Sequence, residues 1–338
     1  MEAHDEGIAV FLEKSGWGGA ERSFLAGDAS FRHYDRIVDH ANNRTAVMMD
    51  APPDKEPLAP FIKVDNFLVE RGYSAPKIYA LDLEHGLLLL EDLGDDSFTK
   101  LLQREPHQES KVYLAACDAL ADLHQQPTKD LAVPEYSPEK LMDETLLFVD
   151  WYLAAMLGEA KAKALRPEFI AIWSEILSLL PFLPPVVVLR DYHADNLLWL
   201  PQRESVQQVG LLDFQDALIG SPAYDVVSLL EDARRDVSPE TVQMSVNRYL
   251  QKAGWDKADF MVHYGVLGAQ RNCKIVGIFT RLAKRDGKQH YLNLLPRVWG
   301  HLQQDLNHPV MRPLKQWMDE VLPEAQRGLA VLEAKRAG

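Results

Sequence analysis

The run Val186-Val187-Val188-Leu189-Arg190-Asp191-Tyr192-His193-Ala194-Asp195-Asn196-Leu197-Leu198-Trp199-Leu200 decides how the rest of the chain is read, together with its echo Val209-Gly210-Leu211-Leu212-Asp213-Phe214. An apolar run delivers a polar loop, a second apolar run follows, and a third ends in an aspartate. Leu197–Leu200 and Val209–Leu212 read as short strands joined by the polar residues 201–208. Antiparallel pairing with Leu197 opposite Leu212 puts Asn196 opposite Asp213, at the end of the hairpin beside the loop that carries Asp191. Three oxygen-bearing side chains then converge. Such a set suits a hard cation such as magnesium, with one carboxylate left over to orient a nucleophile.

Turn acids flanking buried strands are common, because they accept backbone hydrogen bonds, but that reading accounts poorly for Asp191, Asn196 and Asp213 together. A metal hydrolase using His193 with Asp191 or Asp195 lacks a second obvious histidine, since His124 and His263 fall in helical patterns typical of surface or packing residues. Phosphoryl transfer needs a carboxylate to orient the attacking hydroxyl, an amide or acid on the same loop, and one further Asp to hold magnesium. An Asp-x-x-x-x-Asn run followed by a strand-terminal Asp supplies that set, with the offset of kinase catalytic loops.

The chain has 338 residues, 47% hydrophobic and 25% charged, which is ordinary for a soluble protein and enough for two lobes. A net charge of −14 argues against a sequence-independent nucleic-acid binder, which needs surplus Lys and Arg. No run approaches the roughly 20 apolar residues of a membrane span. The start, Met1-Glu2-Ala3-His4-Asp5-Glu6, lacks the basic opening of a signal peptide. Cys117 and Cys273 have no metal-ligand spacing and read as buried reduced thiols, in keeping with a cytoplasmic location.

Residues 3–15 carry helical spacing, with Ile8, Phe11 and Leu12 on one face. Tyr34–Val38 and Thr45–Met49 read as paired strands, and Lys77–Leu81 with Gly86–Leu90 as another hairpin. Between them Leu58–Arg71 reads as a helix ended by Gly72. After Gly94 helical periodicity dominates, near 111–124, 138–157, 167–180, 223–235, 239–253, 258–285 and 311–335. The expected fold is therefore α+β, with a small antiparallel sheet lobe and one main helix over residues 1–92. A larger, mostly helical lobe over 93–338 is expected to hold the central hairpin.

Arg190-Asp191-Tyr192-His193-Ala194-Asp195-Asn196, Leu212-Asp213-Phe214-Gln215-Asp216 and Pro222-Ala223-Tyr224-Asp225-Val226-Val227 together resemble the motifs of aminoglycoside phosphotransferases and choline-kinase-like small-molecule kinases. Gly27-Asp28-Ala29-Ser30-Phe31-Arg32, Leu89-Leu90-Glu91-Asp92-Leu93-Gly94 and the segment from Arg271 to Leu282 resemble one branch of that family. That branch comprises the bacterial kinases that phosphorylate the anomeric hydroxyl of N-acetylmuramate and N-acetylglucosamine in cell-wall recycling. The resemblance implies a bilobal protein-kinase-like fold, ATP and Mg2+ as cofactors, an amino-sugar acceptor and a monomer.

Residue by residue, it implies Asp191 as the catalytic base and Asn196 and Asp213 as magnesium ligands. Gly27, Asp28, Ala29, Ser30 and Phe31 would cover the phosphates, with Arg32 closing that stretch. Glu91 and Leu93 would offer backbone groups to adenine, and Asp225 would brace the catalytic loop. His193, Gln215, Asp216, Arg271 and Asn272 are the candidates for the sugar, with Trp151, Tyr152 and Trp199 as possible stacking surfaces. Two departures stand out. Leu189-Arg190 occupies the place of the His-Gly common before the catalytic Asp. The third strand, Ala46-Val47-Met48-Met49-Asp50, lacks the expected Lys, for which Arg32 or Lys63 could substitute. The alternatives are a kinase of another hydroxylated metabolite or of an aminoglycoside, or a nucleotide-binding pseudokinase.

Overall fold

A computed structural model describes residues 2–27 and 31–327. In chain order it begins with α1 (Glu2–Lys14), β1 (Glu21–Gly27), β2 (His33–Asp39), β3 (Arg44–Asp50), α2 (Ala59–Glu70), β4 (Ile78–Asp82), β5 (Leu87–Glu91) and α3 (Phe98–Arg104). Helices α4 (Glu109–Leu123), α5 (Pro138–Thr145), α6 (Ala154–Leu157) and α7 (Glu159–Ser178) follow. Next come the short strands β6 (Val186–Val188), β7 (Leu197–Trp199), β8 (Val209–Leu211) and β9 (Leu218–Gly220). The described chain closes with α8 (Ala223–Leu230), α9 (Pro239–Ala253), α10 (Lys257–Arg285), α11 (Leu295–Asp305) and α12 (Arg312–Val321).

These elements gather into two compact units. The first draws on Met1–Arg104 and Asp195–Asp216, the second on Glu105–Ala194 and Ala217–Gly338. As a compact body the first unit is thus discontinuous. The β7–β8 hairpin belongs with the sheet residues, not with the helices as its place in the sequence suggested.

In the first unit an antiparallel sheet runs in the order β1-β2-β3-β5-β4. Strand β3 alternates, and this alternation sorts its side chains. Ala46 and Met48 face Ile8, Phe11 and Leu12 of α1 with Leu87 and Leu89, forming a closed apolar core. Burying each large apolar side chain there contributes about 1.5–3 kcal/mol. Helix α2 buries Phe61, Val64, Phe67 and Leu68 in the i, i+3, i+6, i+7 pattern the sequence shows. The loop after β5 is tied to the central hairpin, since Trp199 donates its N–H to the Asp96 carbonyl at 2.8 Å.

In the second unit β6 pairs with β9, Val188 opposite Leu218. Strand β9 and helices α3 and α11 had no counterpart among the expected elements. The core of this unit is aromatic: Phe148, Phe169, Trp173, Trp299 and Trp317 are all buried in it. Tyr152 belongs to this core, stacked on Phe148 with centroids 5.3 Å apart, and so presents no face to a sugar. Trp199 is likewise a packing residue, its ring edge-on to Phe98. Cys117 and Cys273 are buried thiols. Burial pushes Cys117 up to about 12, away from any nucleophilic role. No helix among the described residues is long and apolar enough to cross a membrane.

Candidate active site

In the first unit β7 and β8 pair antiparallel, but one residue away from the expected register. Leu197 lies opposite Leu211, and Trp199 opposite Val209. Asn196 therefore faces Leu212, which donates its N–H to the Asn196 carbonyl at 3.0 Å. Gly210 decides this register: a Cβ there would stand 2.9 Å from Leu198 Cβ, so only glycine fits opposite Leu198. Asp213 follows one step beyond the pair in a left-handed conformation, φ 57°. Aspartate tolerates that region better than most residues. The turn brings its carboxylate back, and Asn196 Nδ2 stands 3.4 Å from Asp213 Oδ2. The expected meeting of Asn196 with Asp213 thus occurs by a different backbone route.

Two further side chains converge on Asp213. Gln215 donates Nε2–H to Oδ1 at 2.7 Å, which turns the amide toward the carboxylate rather than toward a sugar. Arg32, buried to 11% exposure, stands 3.7 Å from the same oxygen and bonds Glu56 with its other nitrogen at 3.1 Å. Lys63 is exposed on α2. Of the two candidate substitutes for the absent strand lysine, Arg32 stands beside Asp213.

Asp213 and Asn196 fit a hard cation by their donor chemistry. The Asn196–Asp213 contact is long for a hydrogen bond. Half a turn of the Asn196 amide replaces nitrogen by oxygen, so that both residues offer oxygen to one point. Among the described residues no three His, Cys, Asp or Glu side chains form a metal-holding group. An amide and one carboxylate leave most of the shell to water and phosphate oxygens, as magnesium prefers. Asp195, next to Asn196, accepts a hydrogen bond from Thr99 Oγ1.

The same unit encloses a cavity of about 330 Å³, bounded by Gly27, Val47, Leu90 to Gly94, Leu198 and Phe214, with Asn196 and Asp213 at its polar end. Phe214 is held against Phe61 with centroids 5.2 Å apart. Apolar walls with a few polar groups suit a flat heteroaromatic ring. Glu91 is fixed by Arg203 at 2.7 Å. Its N–H is given to the Lys77 carbonyl at 2.8 Å. Gly27 lines the cavity and Phe31 is exposed. Asp28, Ala29 and Ser30 lie outside the described residues.

In the second unit β6 delivers Leu189, Arg190 and Asp191. Asp225, fully buried in the first turn of α8, accepts the Leu189 N–H at 2.6 Å and the Arg190 N–H at 2.8 Å. Burial raises its carboxyl to about 7, and the two backbone bonds oppose that rise. Arg190 adopts φ 72°, a conformation costing about 1–2 kcal/mol for a residue with a Cβ. The half-buried Asp191 comes next, its carbonyl accepting the His193 N–H at 3.1 Å.

His193 is buried, with Nε2 3.5 Å from Arg234. Desolvation, then Arg234, lowers its pKa and favours the neutral ring. Arg271 lies close enough for its charge to act on His193 and Asp225. It is buried and donates to the Glu231 carbonyl at 3.2 Å. The cause is α10, which runs through the helical unit with both broad faces covered. Asn272, wholly buried, spends its amide nitrogen on Glu231 at 2.8 Å and Asp305 at 2.9 Å. Burial raises the pKa of both those carboxyl groups. Asp216 is exposed.

The sequence model of the phosphotransferase enzyme family matches residues 21–261. The chain belongs to that family. A relative of this phosphotransferase from Caulobacter vibrioides, an N-acetylmuramate/N-acetylglucosamine kinase, is 36% identical over 94% of this chain and 97% of its own length. Among solved structures, a GDP complex of aminoglycoside 2'-phosphotransferase-IIIa covers 89% of this chain and 97% of its own, with a TM-score of 0.60 at 13% identity. A choline kinase from Streptococcus pneumoniae covers 89% and 99%, with a TM-score of 0.59 at 12% identity. At such identities the likeness shows the fold, which is the protein-kinase-like one of two lobes, a small antiparallel sheet lobe and a mostly helical remainder.

Proposed function

We infer that this phosphotransferase is an ATP-dependent, magnesium-requiring kinase that transfers the γ-phosphoryl group to the anomeric C1 hydroxyl of N-acetylmuramate, N-acetylglucosamine or both. The observation that carries the chemistry is the Asn196–Asp213 pair lining a largely apolar cavity. The acceptor comes from the Caulobacter relative's name, with which the chain shares nearly its whole length. Asp191 orients the C1 hydroxyl and takes its proton as the new oxygen–phosphorus bond forms, and ADP departs with the electrons of the broken bond. Asn196 and Asp213 would hold magnesium, which when bound would supply positive charge to the phosphate oxygens. Arg271 and His193 are the proposed sugar contacts, Arg271 having the charge to suit a lactyl carboxylate. The enzyme acts as a cytoplasmic monomer in the recycling of cell-wall sugars.

The rival reading, a nucleotide-binding protein without turnover, rests on the strand lacking lysine; Arg32, 3.7 Å from Asp213, supports the catalytic reading against it. Incubation with ATP and magnesium against a panel of N-acetylated hexosamines, other sugars and aminoglycosides tests the reading, with GTP as the alternative donor. Formation of the sugar 1-phosphate is expected with the N-acetylated hexosamines. Asp191→Asn is expected to lose about 10²–10⁴-fold in turnover. Phosphorylation confined to aminoglycosides, or at a hydroxyl other than C1, would refute the assignment.

A further inference from the structure

The residue before Asp191 is where glycine would be the default, because φ is positive there. The chain has an arginine instead, and its surroundings are built around that choice. The backbone of Arg190 is held at both ends: its N–H goes to Asp225 at 2.8 Å, and its carbonyl accepts Ser228 Oγ–H at 3.2 Å. Its guanidinium donates to Glu144 Oε1 on α5. The second oxygen, Glu144 Oε2, takes Lys274 Nζ of α10 at 3.0 Å and the Tyr136 hydroxyl. The side chains of Arg190, Glu144 and Lys274 are each only 14% exposed. Tyr136 and Tyr224 wall the group, edge to face with centroids 5.0 Å apart. Lys274 also donates to the Tyr224 hydroxyl at 3.4 Å. Burial alone would raise the pKa of Glu144, yet Lys274 and Arg190 together bring it below the ordinary carboxylate range. The carboxylate is therefore ionised and serves two cations at once.

We propose that Glu144 is a positioning residue for Asp191. Held by α5 and by Lys274 on α10, it grips the Arg190 guanidinium and keeps residue 190 in its left-handed conformation, which sets the direction in which the next carboxylate leaves the backbone. The role rests on the reading of Asp191 as the hydroxyl-orienting base. Two features set the group apart from an ordinary buried ion pair. It attaches to the one side chain whose backbone angle aims Asp191. It also approaches from the side opposite to the Asp225 brace in chemistry, since Asp225 and Ser228 hold the backbone and Glu144 holds the side chain.

The test is steady-state kinetics with N-acetylglucosamine and ATP on Glu144→Gln, Arg190→Gly and the double variant, with rates normalised to folded, nucleotide-binding protein. Glycine accepts the positive φ without strain, so Arg190→Gly should fold, with Glu144 still paired to Lys274. Each single variant should lose on the order of 10²-fold in kcat, the scale of a misplaced reacting group, while the KM for ATP stays within about twofold. The double variant should be no slower than the slower single one, because Glu144 acts through Arg190. Glu144→Asp, which keeps the charge, should recover part of the loss. A purely structural role would lower thermal stability and leave kcat per folded molecule unchanged, and that result overturns the proposal, as do multiplicative losses in the double variant. Asp191→Asn is assayed alongside. If it turns over normally, the reading of Asp191 fails and the positioning role with it. If it is inactive while Glu144→Gln is fully active, the positioning role alone fails.

Discussion

Arg32 Nη1 stands 3.7 Å from Asp213 Oδ1 while its Nη2 bonds Glu56 Oε2 at 3.1 Å, so one guanidinium links the end of the phosphate-side loop to the strand-terminal acid. No lysine lies on β3, whose sequence is Arg44-Thr45-Ala46-Val47-Met48-Met49-Asp50. We propose that this rigid planar cation supplies the charge that a strand lysine would otherwise provide.

Arg32→Met should therefore lower kcat by about 10²–10³-fold, the scale of losing one preorganised charge donor, and raise the KM for ATP. Arg32→Lys should retain part of the activity, since the charge survives and the fork does not. Steady-state kinetics against varied ATP checks this. Unchanged kinetics in Arg32→Met would show that the arginine serves only its ion pair with Glu56.

Asp225 accepts two backbone N–H groups from the segment that leads to Asp191. Asp225→Ala orphans both in a buried setting, at about 1–3 kcal/mol for each, offset in part because a carboxylate that burial has raised to about 7 is no longer enclosed. The denaturant midpoint should fall and turnover should fall with it. An unaltered midpoint would mean that the loop is held elsewhere.

Asp65, buried on α2, has its carboxyl raised from 3.8 to about 7 by burial, with the Glu91 charge adding to the rise. The folded protein then holds this proton more tightly than the unfolded chain. Between about pH 4 and pH 7 stability falls as pH rises, and above pH 7 the loss is complete and level. Asp65→Asn should be neutral near pH 4 and more stable than the parent by on the order of 2–4 kcal/mol at pH 8. Melting temperatures measured across that range check the sign. A gain that does not vary with pH would disprove the titration as its source.

Much of the architecture was legible because its cause is local. Ile8, Phe11 and Leu12 share a face at helical spacing whatever lies beneath them, and α1 follows. Hairpins β2–β3 and β4–β5 turn where polar or Gly-bearing segments interrupt β-rich runs. What was not legible depended on partners far along the chain. The β7–β8 register was read one residue out because alternation alone does not choose between neighbouring pairings. The close approach of Gly210 to Leu198 does, and it is a contact across the hairpin. Strand β9 is short, and its pairing partner β6 lies before the whole hairpin.

The sequence by itself determined the order and offset of Asp191, Asn196 and Asp213, and with them the kind of chemistry proposed for this family member. These follow from residue type and spacing along one short stretch, which survive any arrangement of the rest. Only the tertiary structure decided which groups serve those three. It set Arg32 beside Asp213 and spent Gln215 on that same carboxylate. It also enclosed Asn272 between Glu231 and Asp305, and gave Arg190 its grip on Glu144. In each case the reason is that a charged or amide group leaving water must find its partner in space, and the partner's place in the sequence carries no mark of it.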